Sequence, residues 1–304
     1  MKSFELLDVV DPPADAPKAA APTIRCRQIG FPDLDAIADL LAEGFPLRAR
    51  SYWEKALSRL AGRAPIDGCP QFGYLLESEG RPVGVMLLLF SRVRGTEELR
   101  CNGSSWCVAP AFRAGAISLL KRILKHKATH TNISPAANVR PIFEALGYKK
   151  FCEGLFAVAP TLAGPFGTTR ISLISAGRNG AKAVPEGDLR FLLDHAGFGC
   201  ISLWCETPEG GLPFIFRRRF VRDLPGVPCA QLVYADGMDQ FVRLAGPLGR
   251  FLALRGMPFM IAPANGPITG LMGKYFGDKP MHYHGPRPPR LGDLAYTELA
   301  MFGI

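Results

Sequence analysis

The sequence predicts an α/β fold made of two tandem units, each a mixed central sheet flanked by helices, and three observations carry that expectation. Thirty-three glycines and 27 prolines mark many short elements joined by tight turns rather than a helical bundle. A chain of 304 residues, 48% hydrophobic, is long enough for two cores of ordinary size. Several motifs also recur in the same order at an offset of roughly 130 residues, as two copies of one unit would give.

Residues 1–22 are rich in Pro and Ala and poor in large apolar groups, so they read as a disordered tail. A strand is expected over Thr23–Ile29. A helix follows whose Leu34, Ile37, Ala38 and Leu41 share one face, starting near Asp33. A second helix spans about Ser51–Leu60. Strands Gly73–Ser78 and Val83–Arg92 are joined by the turn Glu79-Gly80-Arg81-Pro82. The strand Ser104–Val108 then leads through a small-residue turn into a helix over Gly115–Lys125. Next come a strand at His130–Ser134, a helix from Val139 to Leu146 capped by Gly147, and a strand at Leu155–Ala159.

The second copy repeats this order less clearly. Glu209-Gly210-Gly211-Leu212-Pro213 matches the turn at Gly80, Ile261-Ala262-Pro263-Ala264-Asn265 echoes Ile133 to Asn138, and an apolar helix over Met238–Leu254 matches the helix after Ser118. Ala176–Gly187 reads as a loop where a first helix has been lost. The expected divisions are 1–22, 23–160 and 161–304.

The net charge is +9, which suits an acidic partner without choosing among a phosphorylated cofactor, nucleic acid and anionic lipid. Eight cysteines without a C-x-x-C pair read as reduced thiols, and no apolar run is long enough to span a bilayer, so a cytoplasmic protein is expected. No metal site is expected. His282-Tyr283-His284 lacks further ligands and reads as a loop packed by Pro286, Pro288 and Pro289.

Arg113, Ala114, Gly115, Ala116, Ile117 and Ser118 carry the clearest chemistry. Small residues at a strand-to-helix turn let backbone N–H groups close on an anion at the positive helix end. The same pattern also serves simple packing.

The order of elements, with Val108-x-Pro110-x-Phe112-Arg113, the small-residue turn and a later helix ending at Gly147-Tyr148, resembles the GNAT superfamily of acyl-CoA N-acyltransferases. The resemblance covers residues 23–160 well and the remainder through the repeat. It implies acyl-CoA as co-substrate, bound by the backbone of Trp106, Cys107 and Val108 at the thioester and pantetheine, and by Arg113–Ser118 at the pyrophosphate. Asn138 and Phe143 complete the implied set.

Departures from the family pattern are equally specific. Ala116 stands where the family usually has Gly and Ser118 where it has Gly or Ala, and Phe143 stands where a tyrosine commonly protonates the leaving thiolate. Ser134 is a candidate substitute acid, and Cys107 a candidate acyl acceptor. The nearest acidic residues for a base are Glu77, Glu97 and Glu98, while Phe45, Leu47, Tyr52 and Trp53 would border the acceptor.

The implied function is acyl transfer from acyl-CoA to a small-molecule or peptide amine by direct attack in a ternary complex. A catalytically silent acyl-CoA-binding scaffold and a tandem-GNAT aminoacyl transferase are the alternatives. Arg217, Arg218, Arg219 and Arg222 form the densest charge cluster, but on a strand they do not make one stripe, so nucleic acid is not the expected partner. Phe216 and Phe220 are expected to lie on that strand's buried face.

Overall fold

The computed structural model describes residues 23–159, 169–176, 184–220 and 226–303. The expected tail, part of the loop Ala176–Gly187, and Arg222 lie outside these residues. The first half contains β1 (Arg25–Gln28), α1 (Leu34–Gly44), α2 (Arg50–Ala61), β2 (Gly73–Ser78), β3 (Arg81–Arg92), β4 (Leu99–Val108), α3 (Ala116–Ile123), β5 (Thr129–Asn132), α4 (Arg140–Ala145), β6 (Lys149–Cys152) and β7 (Gly154–Val158). The second contains β8 (Arg170–Ile174), α5 (Glu186–Gly197), β9 (Ile201–Thr207), β10 (Gly210–Phe220), β11 (Pro228–Ala235), α6 (Met238–Ala253), β12 (Phe259–Ala264), β13 (Gly273–Phe276), β14 (Met281–His284) and α7 (Glu298–Met301).

These strands form two mixed seven-stranded sheets, ordered β1-β2-β3-β4-β5-β14-β6 and β8-β9-β10-β11-β12-β7-β13. Each sheet has one parallel pair, β4 with β5 and β11 with β12, in the same place in the order. The two orders correspond strand for strand, with β7 and β14 exchanged between the units. Sheet membership therefore crosses residue 160. The single residue Glu153 separates β6 from β7, which leave in different sheets. Gly154 permits this turn, because a Cβ there would collide with the Phe276 carbonyl of β13.

Apolar spacing accounts for the helices. In α1, Ile37, Ala38, Leu40 and Leu41 are buried, and in α2 Trp53, Ala56, Leu57 and Leu60 are; both stripes pack on Leu75, Val85, Leu87 and Leu89 of the first sheet. On the opposite face Leu119, Leu120, Ile123 and Phe143 pack against Leu76, Met86 and Leu88. A further core joins Phe151, Cys152 and Met281 of the first sheet to Trp204, Ile215 and Val233 of the second, so the units share apolar interior.

Several expectations are revised. β4 begins at Leu99, five residues before the expected start, and β6 was not anticipated. His282-Tyr283-His284 is not a proline-packed loop but part of β14, inside the first sheet between β5 and β6. Phe216 is buried, whereas Phe220 is 62% exposed near the end of its sheet pairing. One helix, α5, occupies the interval between β8 and β9 where the first unit has α1 and α2.

Candidate active site

The site begins with an irregularity in β4. Val85 pairs with Cys107 and Leu87 with Ser104, leaving Ser105 and Trp106 opposite the single residue Met86. This is a β-bulge, and Ser105 has φ of 53°. Left-handed backbone at a non-glycine residue costs on the order of 1–2 kcal/mol, a strain that pairing on both sides of Ser105 holds in place.

Beside the bulge the sheet opens. β4 pairs with β5 in parallel only from Arg100–Thr129 to Asn102–Thr131, so beyond Asn102 the two strands diverge. Ser105, Trp106, Cys107 and Val108 are half-buried along this opening. The Trp106 side chain packs with Phe143, ring centroids 6.1 Å apart, and its indole N–H has no acceptor among the described residues. Phe143 is itself buried against Tyr148 at 4.9 Å, so it serves as a packed wall of the opening.

Val108 leads into a 3-10 turn over Pro110–Gly115, continuous with α3. Arg113 and Ala114 are exposed on it, and Arg113 makes no ion pair among the described residues. Ala116 has φ of −57°, so the alanine carries no left-handed penalty where the family pattern has glycine. Ser118 donates from Oγ to the Gly115 carbonyl at 2.6 Å, and Ile117 is 40% exposed. Asn138 lies exposed on the 3-10 turn Ala137–Val139 beyond β5.

Chain ends far apart in sequence meet at the base of the opening. Glu298, the first residue of α7, is buried, and its backbone N–H donates to Asn102 Oδ1 at 2.9 Å. Ser104 Oγ donates to Glu298 Oε2, and Ser134 Oγ donates to Oε1. Since the Ser104 hydroxyl proton is committed to the carboxylate, the Ser105 hydroxyl, 3.0 Å away, donates to Ser104. A hydrogen-bonded chain thus runs from the bulge through Ser104 to Glu298 and out through Ser134, which is exposed. Burial raises the Glu298 carboxyl above the ordinary carboxylate range, against the lowering effect of the two serines.

The anticipated acids do not reach this place. Glu77 is paired with Arg27, Glu97 with Arg92, and Glu98 accepts from Thr129 at the other end of β4. Burial and nearby Glu43 both raise the Cys107 thiol, the opposite of what a nucleophilic thiolate needs. Of the proposed acceptor-side residues, Trp53 is buried and Leu47 is 97% exposed. The Tyr52 hydroxyl and the Trp53 indole N–H are buried without partners among the described residues. Sequence gives no hint of Glu298: 194 residues separate it from Ser104.

The second unit has the same framework, filled. β11 also carries a register shift near its parallel partner, and there the chain's own segment pairs with it. Ala235 N–H donates to the Gly292 carbonyl at 2.9 Å, Leu294 N–H to the Val233 carbonyl at 2.8 Å, and Tyr234 bridges Asp293. Asp236 and Asp239 flank the start of α6, placing negative charge where the first unit has Arg113.

No family profile and no curated protein matches the sequence. The fold does match solved structures. A GCN5-related N-acetyltransferase of Anabaena variabilis is similar over 86% of this chain and 72% of its own, with TM-score 0.56 at 9% identity. One from Kribbella flavida covers 88% and 72%, with TM-score 0.54 at 14% identity. A GCN5-related glucosamine N-acetyltransferase region of a fungal β-N-acetylglucosaminidase covers 90% of this chain and 39% of its own, with TM-score 0.53 at 10% identity. The chain has the GNAT fold, in two units.

Proposed function

We propose that the first unit transfers an acyl group from acyl-CoA to an amine. The observation that carries this reading is the bulged β4, open against β5, with a buried carboxylate wired to the bulge through two serines. The residues present fit the co-substrate: an exposed cation, Arg113, at a turn of small residues, and an orphaned indole N–H at Trp106 that suits an amide carbonyl. Acyl-CoA supplies a thioester carbonyl that an amine can attack.

The chain's own groups divide the remaining work. Backbone N–H groups at the bulge, where the register with β3 is interrupted, stabilise negative charge developing on an oxygen. Ser105 accepts a proton from the attacking amine while passing its own to Ser104, and Ser104 in turn protonates Glu298. The raised affinity of Glu298 for protons suits it to this role. As the C–S bond breaks and the thiolate departs, the exposed Ser134 hydroxyl turns from donating to Glu298 to accepting its proton and hands it to solvent, which protonates the released thiolate. Phe143 and Trp106 wall the opening.

Thiol release from acetyl-CoA and longer acyl-CoAs, measured with a panel of small and peptide amines, tests the assignment. Turnover is expected, with Glu298→Gln lowering kcat by about 10²- to 10⁴-fold while leaving acyl-CoA binding intact. Binding without turnover across the panel would make the protein a silent acyl-CoA-binding module. Wild-type turnover by Glu298→Gln would remove the carboxylate from the reaction.

A further inference from the structure

A second cavity lies at the opposite end of β4, away from the bulge. It measures about 300 Å³ and is enclosed by the β3–β4 connection, the start of β5, the end of β11 and the segment 287–293. Its wall combines Val93, Pro288, Pro289 and the Tyr234 ring with polar groups from both units.

Charge in the wall is only partly compensated. Arg94 is held by Asp188 and Asp236. Arg100, buried with 6% of its side chain exposed, pairs with Asp293 at 2.9 Å, yet its Nε–H has no acceptor among the described residues. Arg290 donates to the Ala235 carbonyl and stacks over Tyr234 at 5.5 Å without a carboxylate partner among the described residues. Arg287 is exposed at the rim with no ion pair among the described residues. Against these stands Glu98, whose Oε1 accepts from Thr129 at 2.9 Å.

A buried guanidinium with an unsatisfied donor is costly unless an acceptor arrives. Two further arginines without carboxylate partners make that acceptor anionic, and guanidinium geometry matches a carboxylate in particular. Apolar Pro288, Pro289 and Val93 provide contact for a hydrocarbon body, while Glu98 disfavours a second negative charge at its end. We infer that this cavity is a ligand site for a small organic monocarboxylate, its carboxylate held by Arg100 and Arg287 and its apolar body against Pro288 and Pro289. The site is separate from the bulge, and acyl-CoA plays no part in it.

Titration of the full chain with benzoate, without acyl-CoA, tests the inference against benzamide and inorganic phosphate. Saturable benzoate binding is expected, at least tenfold weaker in Arg287→Glu, with benzamide at least tenfold weaker than benzoate. Arg287 is exposed and unpaired, so its replacement leaves folding intact, which the unchanged thermal midpoint of the variant confirms. Absence of saturable benzoate binding, or equal binding by Arg287→Glu or of benzamide, would overturn the assignment. Tighter binding of phosphate than benzoate would overturn the monocarboxylate class.

Discussion

At the residue scale, Gly44 and Cys107 show how closely the bulged strand β4 is packed. A Cβ at Gly44 would collide with Cys107 Sγ and lie 3.2 Å from Cys107 Cβ, so the end of α1 rests directly on β4 next to the bulge. Gly44→Ala should therefore destabilise the protein by about 1–3 kcal/mol, and Cys107→Ala should recover much of that loss, since Sγ is the nearer obstacle. Urea unfolding of the two single variants and the double variant measures this coupling; additive losses would refute it. The same Cys107→Ala protein should retain acyl transfer, because the raised thiol is a packing group. Cys107 as a buried thiol was the favoured reading of the sequence, whereas Ala116 as an unstrained helical residue was not legible there, because it depends on backbone angles.

At the element scale, local pattern specified what is locally determined. The α2 stripe, β2, β3 and the span of α6 lie within a few residues of where apolar periodicity and turn glycines put them. β4 was cut short because Arg100, Asn102 and Gly103 break an apolar run. Arg100 and Asn102 are nevertheless buried, because Asp293 and the N-terminus of α7 come from the far end of the chain to pair with them, Arg100 through its terminal guanidinium nitrogens alone. The same long-range contacts hide the carboxylate: Thr297-Glu298 reads only as a helix start. Six buried residues around 297–302 become meaningful only once β4 and β5 diverge above them.

Four histidines link element packing to pH. Burial lowers His130 and His195 to about 4, and lowers His126 and His282 as well. Between pH 4 and the unfolded value near 6.5, the unfolded chain takes up protons that the folded one refuses, so stability is lost as pH falls through that window. Each of His130 and His195 contributes up to about 1.4 kcal/mol per pH unit. Glu298, raised, acts in the opposite sense but is a single group. The urea midpoint should be lower at pH 5 than at pH 7; an equal or higher midpoint at pH 5 would contradict this balance.

At the scale of the whole molecule, the exchange of β7 and β14 makes each sheet depend on the other unit. The repeat offset announced two copies, but the exchange was not legible, because each strand keeps its place in the sequence while changing sheets. Duplication has not produced two equivalent sites. One opening holds Glu298 and its serines, with an exposed Arg113 on the turn that follows β4, and the other is paired shut by Gly292–Leu294 with aspartates at its helix. On the proposed function, acyl-CoA binds at the first unit alone, one molecule per chain. Calorimetric titration of the full chain with acetyl-CoA should give one site per chain, weakened at least tenfold by Arg113→Glu. Two sites per chain, no binding, or an Arg113→Glu affinity equal to wild type would contradict it.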